Sequence, residues 1–401
     1  MRRIAIVGGG QAGAYAATTL RASGFDGRLT LVSEEESAPY ERPPLSKEFL
    51  LGHVDEAALR VLPAEFWLEE QVELELGRRA TRIVPGEGVV IGDTLLRVDG
   101  VVLCTGASAR RLTVPGSDLR GVHVLRTIED ARALREELVA GARVIVVGGG
   151  LIGSELASTA AAIGADVTVL DIAEVPLARA VGEVVGRRLA DEAACIGVKS
   201  RQGSVERFEG ASVVTGVLLE DGSALDADVV IVGVGAEPRT DVAEASGLRV
   251  RNGVLCDIDG RTSLANVTVA GDVAHVSHGA TSGRTEHWKS AIEQGGRAAR
   301  ALLGIHNPPV EPVWFWSEQY DQRVEVAGEL AGDHVVVRGD RDGNAFTVWY
   351  LDAHGALVGA VGLNRPRDVR TATKILTAGG TSMNPAILQD EGTSILEAVA
   401  S

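Results

Sequence analysis

The sequence carries the same glycine-rich turn twice, once near its start and once in its middle. The glycines are Gly8, Gly10 and Gly13 in the first copy and Gly148, Gly150 and Gly153 in the second. Each copy follows an apolar run typical of a buried strand and precedes a stretch typical of a helix. Glycine lets the backbone approach a pyrophosphate closely, and the following helix presents free N–H groups and a positive dipole end. The sequence therefore predicts two nucleotide sites in one chain.

An acidic residue follows the second strand of each copy. Glu34, with Glu35 as the alternative, comes after residues 29–32, and Asp171 comes after residues 167–170. A carboxylate at this place accepts a hydrogen bond from the adenosine ribose of a dinucleotide. It also repels a 2′-phosphate, and no arginine directly follows Asp171. We therefore expect NADH rather than NADPH at the second site.

Three later apolar runs are each followed directly by a segment that contains glycine, as is typical of strands beside a nucleotide. These segments contain Thr105 and Gly106, Gly233 and Gly235, and Gly271 and Asp272. We expect Asp272 to precede a helix and to accept a hydrogen bond from a ribityl hydroxyl. Together with the first glycine box, Asp272 predicts FAD at the first site.

These patterns predict an α/β fold with two Rossmann-like nucleotide-binding domains and an α+β C-terminal domain. After Pro308 and Pro309 the apolar runs become short strands separated by turns, with a helix near residues 368–378. We place the FAD-binding domain at residues 1–108 and 240–312, the NAD-binding domain at 109–239 and the C-terminal domain at 313–401. A chain of 401 residues is long enough to bury these cores.

Charge and cysteine content narrow the class of protein further. A formal net charge of −16 argues against general binding to nucleic acid or to an anionic membrane. The three cysteines (Cys104, Cys195 and Cys256) lie far apart, which is typical of a reduced cytoplasmic protein. We expect no metal site, and we expect His275 and His278 to be loop residues.

Two longer strings are more specific than the glycine boxes. Residues 42–47 read Arg-Pro-Pro-Leu-Ser-Lys, and residues 314–317 read Trp-Phe-Trp-Ser. With the boxes, Thr105-Gly106 and Gly271-Asp272 in the same order, the sequence resembles the FAD-dependent, NADH-linked ferredoxin reductases nearly end to end. Those proteins serve bacterial aromatic-ring dioxygenases and class I cytochrome P450 systems. The resemblance implies a glutathione-reductase-like fold.

The resemblance also implies roles for individual residues. Lys47 and Glu155 would pair beside the flavin, where a lysine stabilises the negative charge of the reduced ring. The implied FAD contacts are Gly8, Gly10, Ala12, Gly13, Glu34, Arg42, Lys47, Ala80, Thr105, Gly106, Arg126, Gly271, Asp272 and Trp288, with Trp316 also near the flavin. The implied NAD contacts are Gly148, Gly150, Ile152, Gly153, Asp171, Gly233 and Gly235. One departure is Arg239, which stands where many relatives carry asparagine.

The expected function is electron transfer from NADH through FAD to a [2Fe–2S] ferredoxin, which would in turn serve a terminal oxygenase. Closely spaced cysteines, which disulfide reductases of this type need, are absent, and residues 37–42 lack the single cysteine of peroxide-reducing relatives. We expect the ferredoxin to dock electrostatically on basic clusters. The candidate cations are Arg297, Arg300, Arg365, Arg367, Arg370 and Lys374. The alternatives are an NADH-dependent rubredoxin reductase, an NADH oxidase, or a flavin-binding regulatory protein without a catalytic role.

Overall fold

The computed structural model of the protein describes residues 1–278 and 281–399, without the side chains of His278 and Thr281. The chain divides into two compact units, each made of several segments. The first unit comprises Met1–Pro44, Val54–Ser108 and Ala236–Pro309, and the second comprises Leu45–His53, Ala109–Gly235 and Val310–Ser401.

Helices and strands alternate along most of the described chain. The α-helices are α1 Gln11–Ala22, α2 Ala64–Glu69, α3 Ile128–Glu137, α4 Leu151–Ile163, α5 Ala178–Val181, α6 Glu183–Cys195, α7 Asp241–Ala245, α8 Trp288–Leu302, α9 Pro366–Thr377 and α10 Pro385–Gln389. Short 3₁₀ helices cover Pro43–Ser46, Ala57–Leu59 and Ile395–Ala398. The strands are β1 Arg3–Val7, β2 Arg28–Val32, β3 Val72–Glu75, β4 Ala80–Val84, β5 Gly88–Ile91, β6 Thr94–Arg97, β7 Gly100–Leu103, β8 Ala107–Ala109, β9 Val122–His123, β10 Arg143–Val147, β11 Asp166–Asp171, β12 Lys199–Gln202, β13 Val205–Gly210, β14 Val214–Leu219, β15 Ala224–Asp226, β16 Val229–Val232, β17 Ala236–Pro238, β18 Val254–Cys256, β19 Val267–Val269, β20 Ala274–His278, β21 Thr281–Gly283, β22 Trp314–Gln319, β23 Gln322–Gly328, β24 His334–Asp340, β25 Ala345–Leu351 and β26 Leu357–Leu363.

The first unit is built on a parallel sheet with the strand order β19-β7-β1-β2-β3. Successive residues of a strand face opposite sides of the sheet. Ile4 and Ile6 therefore join a core with helices α1 and α8, whereas Ala5 and Val7 join a core with β4, β5 and β18. Burial on both faces explains why β1 reads as an uninterrupted apolar run.

The second unit contains a matching parallel sheet with the order β12-β11-β10-β16-β9. In each unit the strand before the glycine box is central, and a helix, α1 or α4, leads to its neighbour β2 or β11. A three-stranded antiparallel sheet, β4–β6 or β13–β15, then precedes the returning strand β7 or β16. The predicted duplication of a Rossmann-like architecture is confirmed.

The C-terminal segment forms an antiparallel sheet with the order β22-β23-β26-β25-β24. On one face, Phe346 and Val348 pack with Val185 and other residues of α5 and α6. On the opposite face, Trp349 packs with residues of α9 and α10. The expected C-terminal helix near residues 368–378 is α9. Because this sheet shares a core with the second nucleotide fold, both fall in one compact unit, and the division into three domains stays a prediction.

Two local expectations in the first unit are wrong. Asp272 is not followed directly by a helix, because strands β20 and β21 intervene before α8. His275 and His278 belong to β20 rather than to a loop, since Ala274, His275 and Val276 pair in register with β18. The His275 ring is buried and contacts the Asn252 carbonyl and the Ser282 hydroxyl, whereas the side chain of His278 lies outside the described residues.

None of the described helices combines the length and the apolar composition that crossing a bilayer requires.

Candidate functional site

In the first glycine box, two glycines are required by the protein's own backbone. A Cβ atom on Gly8 would lie 2.0 Å from the Cys104 carbonyl oxygen, and one on Gly13 would lie 2.1 Å from the Gly8 carbonyl oxygen. Gly8 also has a φ of +120°, which other residues rarely adopt. The turn therefore brings the start of α1 against the ends of β1 and β7.

The second box repeats these close approaches. A Cβ atom on Gly148 would lie 2.5 Å from the Gly233 carbonyl oxygen, and one on Gly153 would lie 1.9 Å from the Gly148 carbonyl oxygen. The predicted residue Gly233 thus lies directly against the box. Gly235 has a φ of +103°, and a Cβ added there would meet nothing within 4 Å. Ile152, in the first turn of α4, is 46% exposed.

The middle glycine of each box, unlike the first and third, has free space where a side chain would begin. A Cβ atom on Gly10 or Gly150 would meet no atom within 4 Å, and neither residue has a positive φ. These residues are the N-caps of α1 and α4, and neither helix start has a side-chain cap. Nothing in the described part of the chain requires glycine at these two positions, so open space lies beside two helix N-termini that have no side-chain cap. That arrangement suits the pyrophosphate of a dinucleotide.

A polar side chain that the sequence analysis missed lies at the first box. The side-chain oxygen and nitrogen of Gln11 are both buried and have no hydrogen-bond partner in the described part of the chain. Buried amides normally find partners. A polar ligand at the first box would supply them, which agrees with a dinucleotide there. The glycine spacing predicted the box but carried no signal for Gln11.

Other predicted FAD residues lie in the first unit, and some of them contact the first box. Gly271 lies against Ala12, because a Cβ atom added to it would be 3.0 Å from the Ala12 Cβ, and its N–H donates to Gln294 at 2.9 Å. The Thr105 hydroxyl donates to the Arg239 carbonyl at 2.7 Å, and the Gly106 carbonyl accepts from the Arg239 N–H at 2.9 Å. Ala80 is buried at the start of β4.

The two candidate ribose acceptors have different surroundings. Arg42 donates to Glu35 at 2.7 Å, and Tyr40 donates to the other oxygen of the same carboxylate. Burial lowers the pKa of the Arg42 guanidinium, but Tyr40, Glu35 and Asp272 outweigh it and hold that pKa above its usual value. Glu34 is 45% exposed, compared with 21% for Glu35. Glu34 is therefore the better-placed acid for a ligand.

The remaining predicted FAD residues lie in both units. Trp288 begins α8 and Asp272 follows β19, both in the first unit. Lys47, Arg126 and Trp316 belong to the second unit. Arg126 directly precedes the capped start of α3, and Trp316 stacks on Trp314 with ring centroids 5.4 Å apart.

Asp171, the acid of the second box, accepts a hydrogen bond from the backbone of the box. One Asp171 oxygen accepts from the Gly149 N–H at 2.5 Å, and the other accepts from the Ala173 N–H at 2.7 Å. Asp171 is partly exposed, and each carboxylate oxygen has lone pairs beyond those it uses here. This position suits a carboxylate that reads the ribose of a dinucleotide.

Lys47 and Glu155 form an ion pair within the second unit, as the resemblance implied. The Lys47 Nζ lies 2.9 Å from a Glu155 oxygen, and the two side chains are only 14% and 6% exposed. Ser46 donates to the same oxygen at 2.5 Å, and Ser317 donates to the other oxygen at 2.7 Å. Thr159 then donates to the Ser46 carbonyl at 2.7 Å. The buried carboxylate thus joins α4, β22 and the segment after Pro44.

Ser46 and Ser317 are functional candidates that the sequence analysis did not single out. They lie inside the two specific strings at residues 42–47 and 314–317. The strings marked these segments, but only the fold brings both serines to one carboxylate, across 109 and 162 residues of sequence.

The cysteines are not placed for disulfide chemistry. All three are free thiols. Burial raises the pKa of Cys104 and of Cys256 to about 12, so both stay protonated near neutral pH. Cys195 lies at the exposed end of α6. Among the described residues, no group of three or more histidines, cysteines or acids could hold a metal ion.

The six candidate docking cations differ in solvent exposure and in ion pairing. Arg297 is wrong as a docking residue, because its guanidinium is 12% exposed, pairs with Asp259 at 2.7 Å and donates to the Ile258 carbonyl. Arg365 pairs with Glu391, and Arg300 in α8 is only partly exposed. Arg367, Arg370 and Lys374 are exposed on α9 and have no ion-pair partner in the described chain. Their spacing of three and four residues places them on one helix face.

Each glycine box has an open helix N-terminus, and a different acid accompanies each, Glu34 or Asp171. This arrangement is typical of a protein that binds two dinucleotides. The sequence model of the family described as pyridine nucleotide-disulphide oxidoreductase matches residues 2–295, and that described as reductase C-terminal matches residues 314–399. The chain belongs to the pyridine nucleotide-disulphide oxidoreductase family.

Individual relatives cover nearly the whole chain. It is 37% identical to rhodocoxin reductase of Rhodococcus erythropolis, over 93% of this chain and 89% of that protein. It is 36% identical to the ferredoxin–NAD(+) reductase component of the p-cumate 2,3-dioxygenase system of Pseudomonas putida, over 97% and 96%. Among solved structures, the covalent putidaredoxin reductase–putidaredoxin complex matches with a TM-score of 0.94 at 33% identity, over 99% of this chain and 98% of the matched chain.

Alanine at the middle glycines should separate ligand binding from folding. Gly10→Ala should weaken FAD retention, and Gly150→Ala should raise the KM for NADH about tenfold or more with FAD retained, because each methyl group would occupy ligand space. Gly153→Ala is the contrast, since its methyl group would meet backbone 1.9 Å away and should lower the melting temperature. FAD content, NADH kinetics and thermal melting test this. An unchanged KM in Gly150→Ala would contradict the assignment.

Removing the charge of Asp171 should weaken discrimination against NADPH. Asp171→Asn should lower the ratio of kcat/KM for NADH over NADPH at least about tenfold, because repulsion of the 2′-phosphate is lost. Asp166→Asn, at the opposite end of β11, is the control and should leave the ratio unchanged. A ratio that stays the same in both variants would show that Asp171 does not read the ribose.

Truncation of Glu155 should destabilise the second unit. Glu155→Ala removes the carboxylate that accepts from Lys47 and from two buried serine hydroxyls, and should reduce the free energy of unfolding by about 3 kcal/mol. The double variant Lys47→Met, Glu155→Leu should recover part of this loss, because no unpaired charge remains. Glu183→Ala, in an exposed pair with Arg187, should cost about 0.5 kcal/mol or less. Urea unfolding tests this, and equal stability of Glu155→Ala and wild type would contradict the buried pair.

Proposed function

We propose that the protein is an NADH:ferredoxin oxidoreductase with resident FAD. The observation that carries this proposal is the pair of glycine boxes, each with an open helix N-terminus but with different companion residues. Relatives that cover nearly the whole chain include the reductase component of a dioxygenase system and a putidaredoxin reductase. All three cysteines are free, and burial raises the pKa of Cys104 and Cys256, which argues against disulfide reduction.

In this proposal the first unit holds FAD. The N–H groups at the start of α1 bind the pyrophosphate, Glu34 accepts from the adenosine ribose and Asp272 accepts from the ribityl chain. The buried, unpartnered amide of Gln11 supplies a further polar contact. When bound, FAD would supply hydride acceptance and release of single electrons, chemistry that the side chains of a protein cannot provide.

The second unit binds NADH for the duration of one reduction. The start of α4 binds its pyrophosphate, and Asp171 reads its adenosine ribose. Lys47 acts beside the flavin, where its ammonium offsets negative charge, and Glu155 with its two serine donors orients that ammonium. No side chain needs to act as a nucleophile or general base for hydride transfer.

The electron acceptor is an acidic [2Fe–2S] ferredoxin that passes electrons to a terminal oxygenase. A ring-hydroxylating dioxygenase and a cytochrome P450 are both suitable end points, since relatives are named for each. The number and spacing of the cysteines favour a cytoplasmic location. The unpaired cations of α9 provide a surface of opposite charge for the ferredoxin.

Anaerobic titration with NADH tests the function directly. One equivalent of NADH should bleach the visible absorbance of the flavin, and oxidised ferredoxin should restore it. A flavin that NADH does not bleach would contradict the oxidoreductase and favour a regulatory flavoprotein. Turnover with dioxygen as fast as turnover with ferredoxin would favour an NADH oxidase instead.

Reversal of charge on α9 should impair ferredoxin reduction alone. Arg370→Glu and Lys374→Glu should each lower kcat/KM for ferredoxin about tenfold at low salt and flatten its salt dependence, because electrostatic steering weakens. Arg341→Glu, in the exposed turn between β24 and β25, changes the net charge equally and serves as the control. Bleaching by NADH should stay at the wild-type rate in all three. Unchanged ferredoxin kinetics and salt dependence in the α9 variants would exclude this docking surface.

A further inference from the structure

Arg239 is attached to the predicted FAD residues that follow β7. Its N–H donates to the Gly106 carbonyl at 2.9 Å, and its carbonyl accepts from the Thr105 hydroxyl at 2.7 Å. It directly follows β17, so the strand and these two bonds fix its backbone. The guanidinium therefore extends from a rigid support in the first unit.

The side chain of Arg239 reaches Glu34. Its Nη2 lies 2.5 Å from the Glu34 Oε2. The Nε of Arg79 lies 3.9 Å from the same oxygen, while the Nη2 of Arg79 binds Asp241 at 2.5 Å. The hydrogen bond to Asp241 is the main cause that raises the pKa of Arg79, with Glu34 second. Arg239 is thus the main ion-pair partner of Glu34, whereas Arg79 pairs mainly with Asp241.

The other oxygen of Glu34 remains available. No donor from the described residues binds the Glu34 Oε1, and the residue is 45% exposed. The backbone on both sides is fixed, because Ser33 donates to the Glu75 carbonyl and Gly77 donates to the Glu35 carbonyl. The backbone therefore sets where Glu34 lies, while Arg239 sets the direction of its carboxylate.

We propose that Arg239 is a positioning residue of the FAD site, which holds Glu34 so that its free oxygen meets the adenosine ribose. This inference rests on the proposed assignment of FAD to the first box. An exposed glutamate without a partner samples several rotamers, and ordering them costs free energy when the ligand binds. Arg239 orders the carboxylate beforehand and occupies only the oxygen that the ribose does not use.

A double-mutant cycle on FAD affinity tests the proposal. Arg239→Leu should raise the Kd for FAD about tenfold, measured by quenching of FAD fluorescence on addition to the full-length FAD-free protein. Glu34→Gln should raise the Kd at least as much. The double variant should bind FAD no more weakly than Glu34→Gln alone, since Arg239 acts through Glu34. Arg239→Lys, which keeps the charge, should recover part of the affinity.

The controls separate this role from others. Arg79→Leu should change the Kd less than about twofold, because its main partner is Asp241. An unchanged Kd in Arg239→Leu would overturn the proposal, and so would effects of Arg239→Leu and Glu34→Gln that add in the double variant. Such additivity would mean that Arg239 acts on FAD or on the fold independently of Glu34. Failure of the wild-type protein to bind FAD would instead overturn the proposed function.

Discussion

The contact between the third glycine of each box and the first is the constraint on which both nucleotide folds depend. Gly13 lies so close to the Gly8 carbonyl, and Gly153 so close to the Gly148 carbonyl, that no side chain could fit between them. This contact holds the first turn of the helix against the end of the central strand. The helix N-terminus then opens onto free space beside the middle glycine, and a dinucleotide can use its N–H groups.

Different residues surround this glycine contact in the two copies. At the second box, Asp171 is bonded to the box backbone itself through Gly149, whereas at the first box Glu34 is held by Arg239. The first copy also has the buried, unpartnered amide of Gln11. The two copies of one architecture thus differ in the polar groups around the box, which agrees with the proposed FAD at the first box and NADH at the second.

The features that the sequence could predict are those formed by residues close together in the chain. The glycine spacing, the apolar runs and the acids after β2 and β11 are all local, so the two Rossmann-like units and their acids followed from the sequence. The ion pair between Lys47 and Glu155 joins residues 108 positions apart, and only the resemblance to a known family indicated it. No local signal marks the serine donors to Glu155, the amide of Gln11 or the proposed role of Arg239. The sequence does not indicate strand β20, because its pairing with β18 is a tertiary contact. It does not indicate that Arg297 is paired, because the acceptors, Asp259 and the Ile258 carbonyl, lie far away in sequence.

If the two boxes hold two different nucleotides, the bound ligands can be counted. FAD per chain is measured after gel filtration, and the same sample is then titrated with a non-reducing NADH analogue. We expect one FAD to stay with each chain and one analogue to bind without displacing it. Two retained FAD molecules per chain, or an analogue that competes with FAD for a single site, would show that the boxes do not hold different nucleotides.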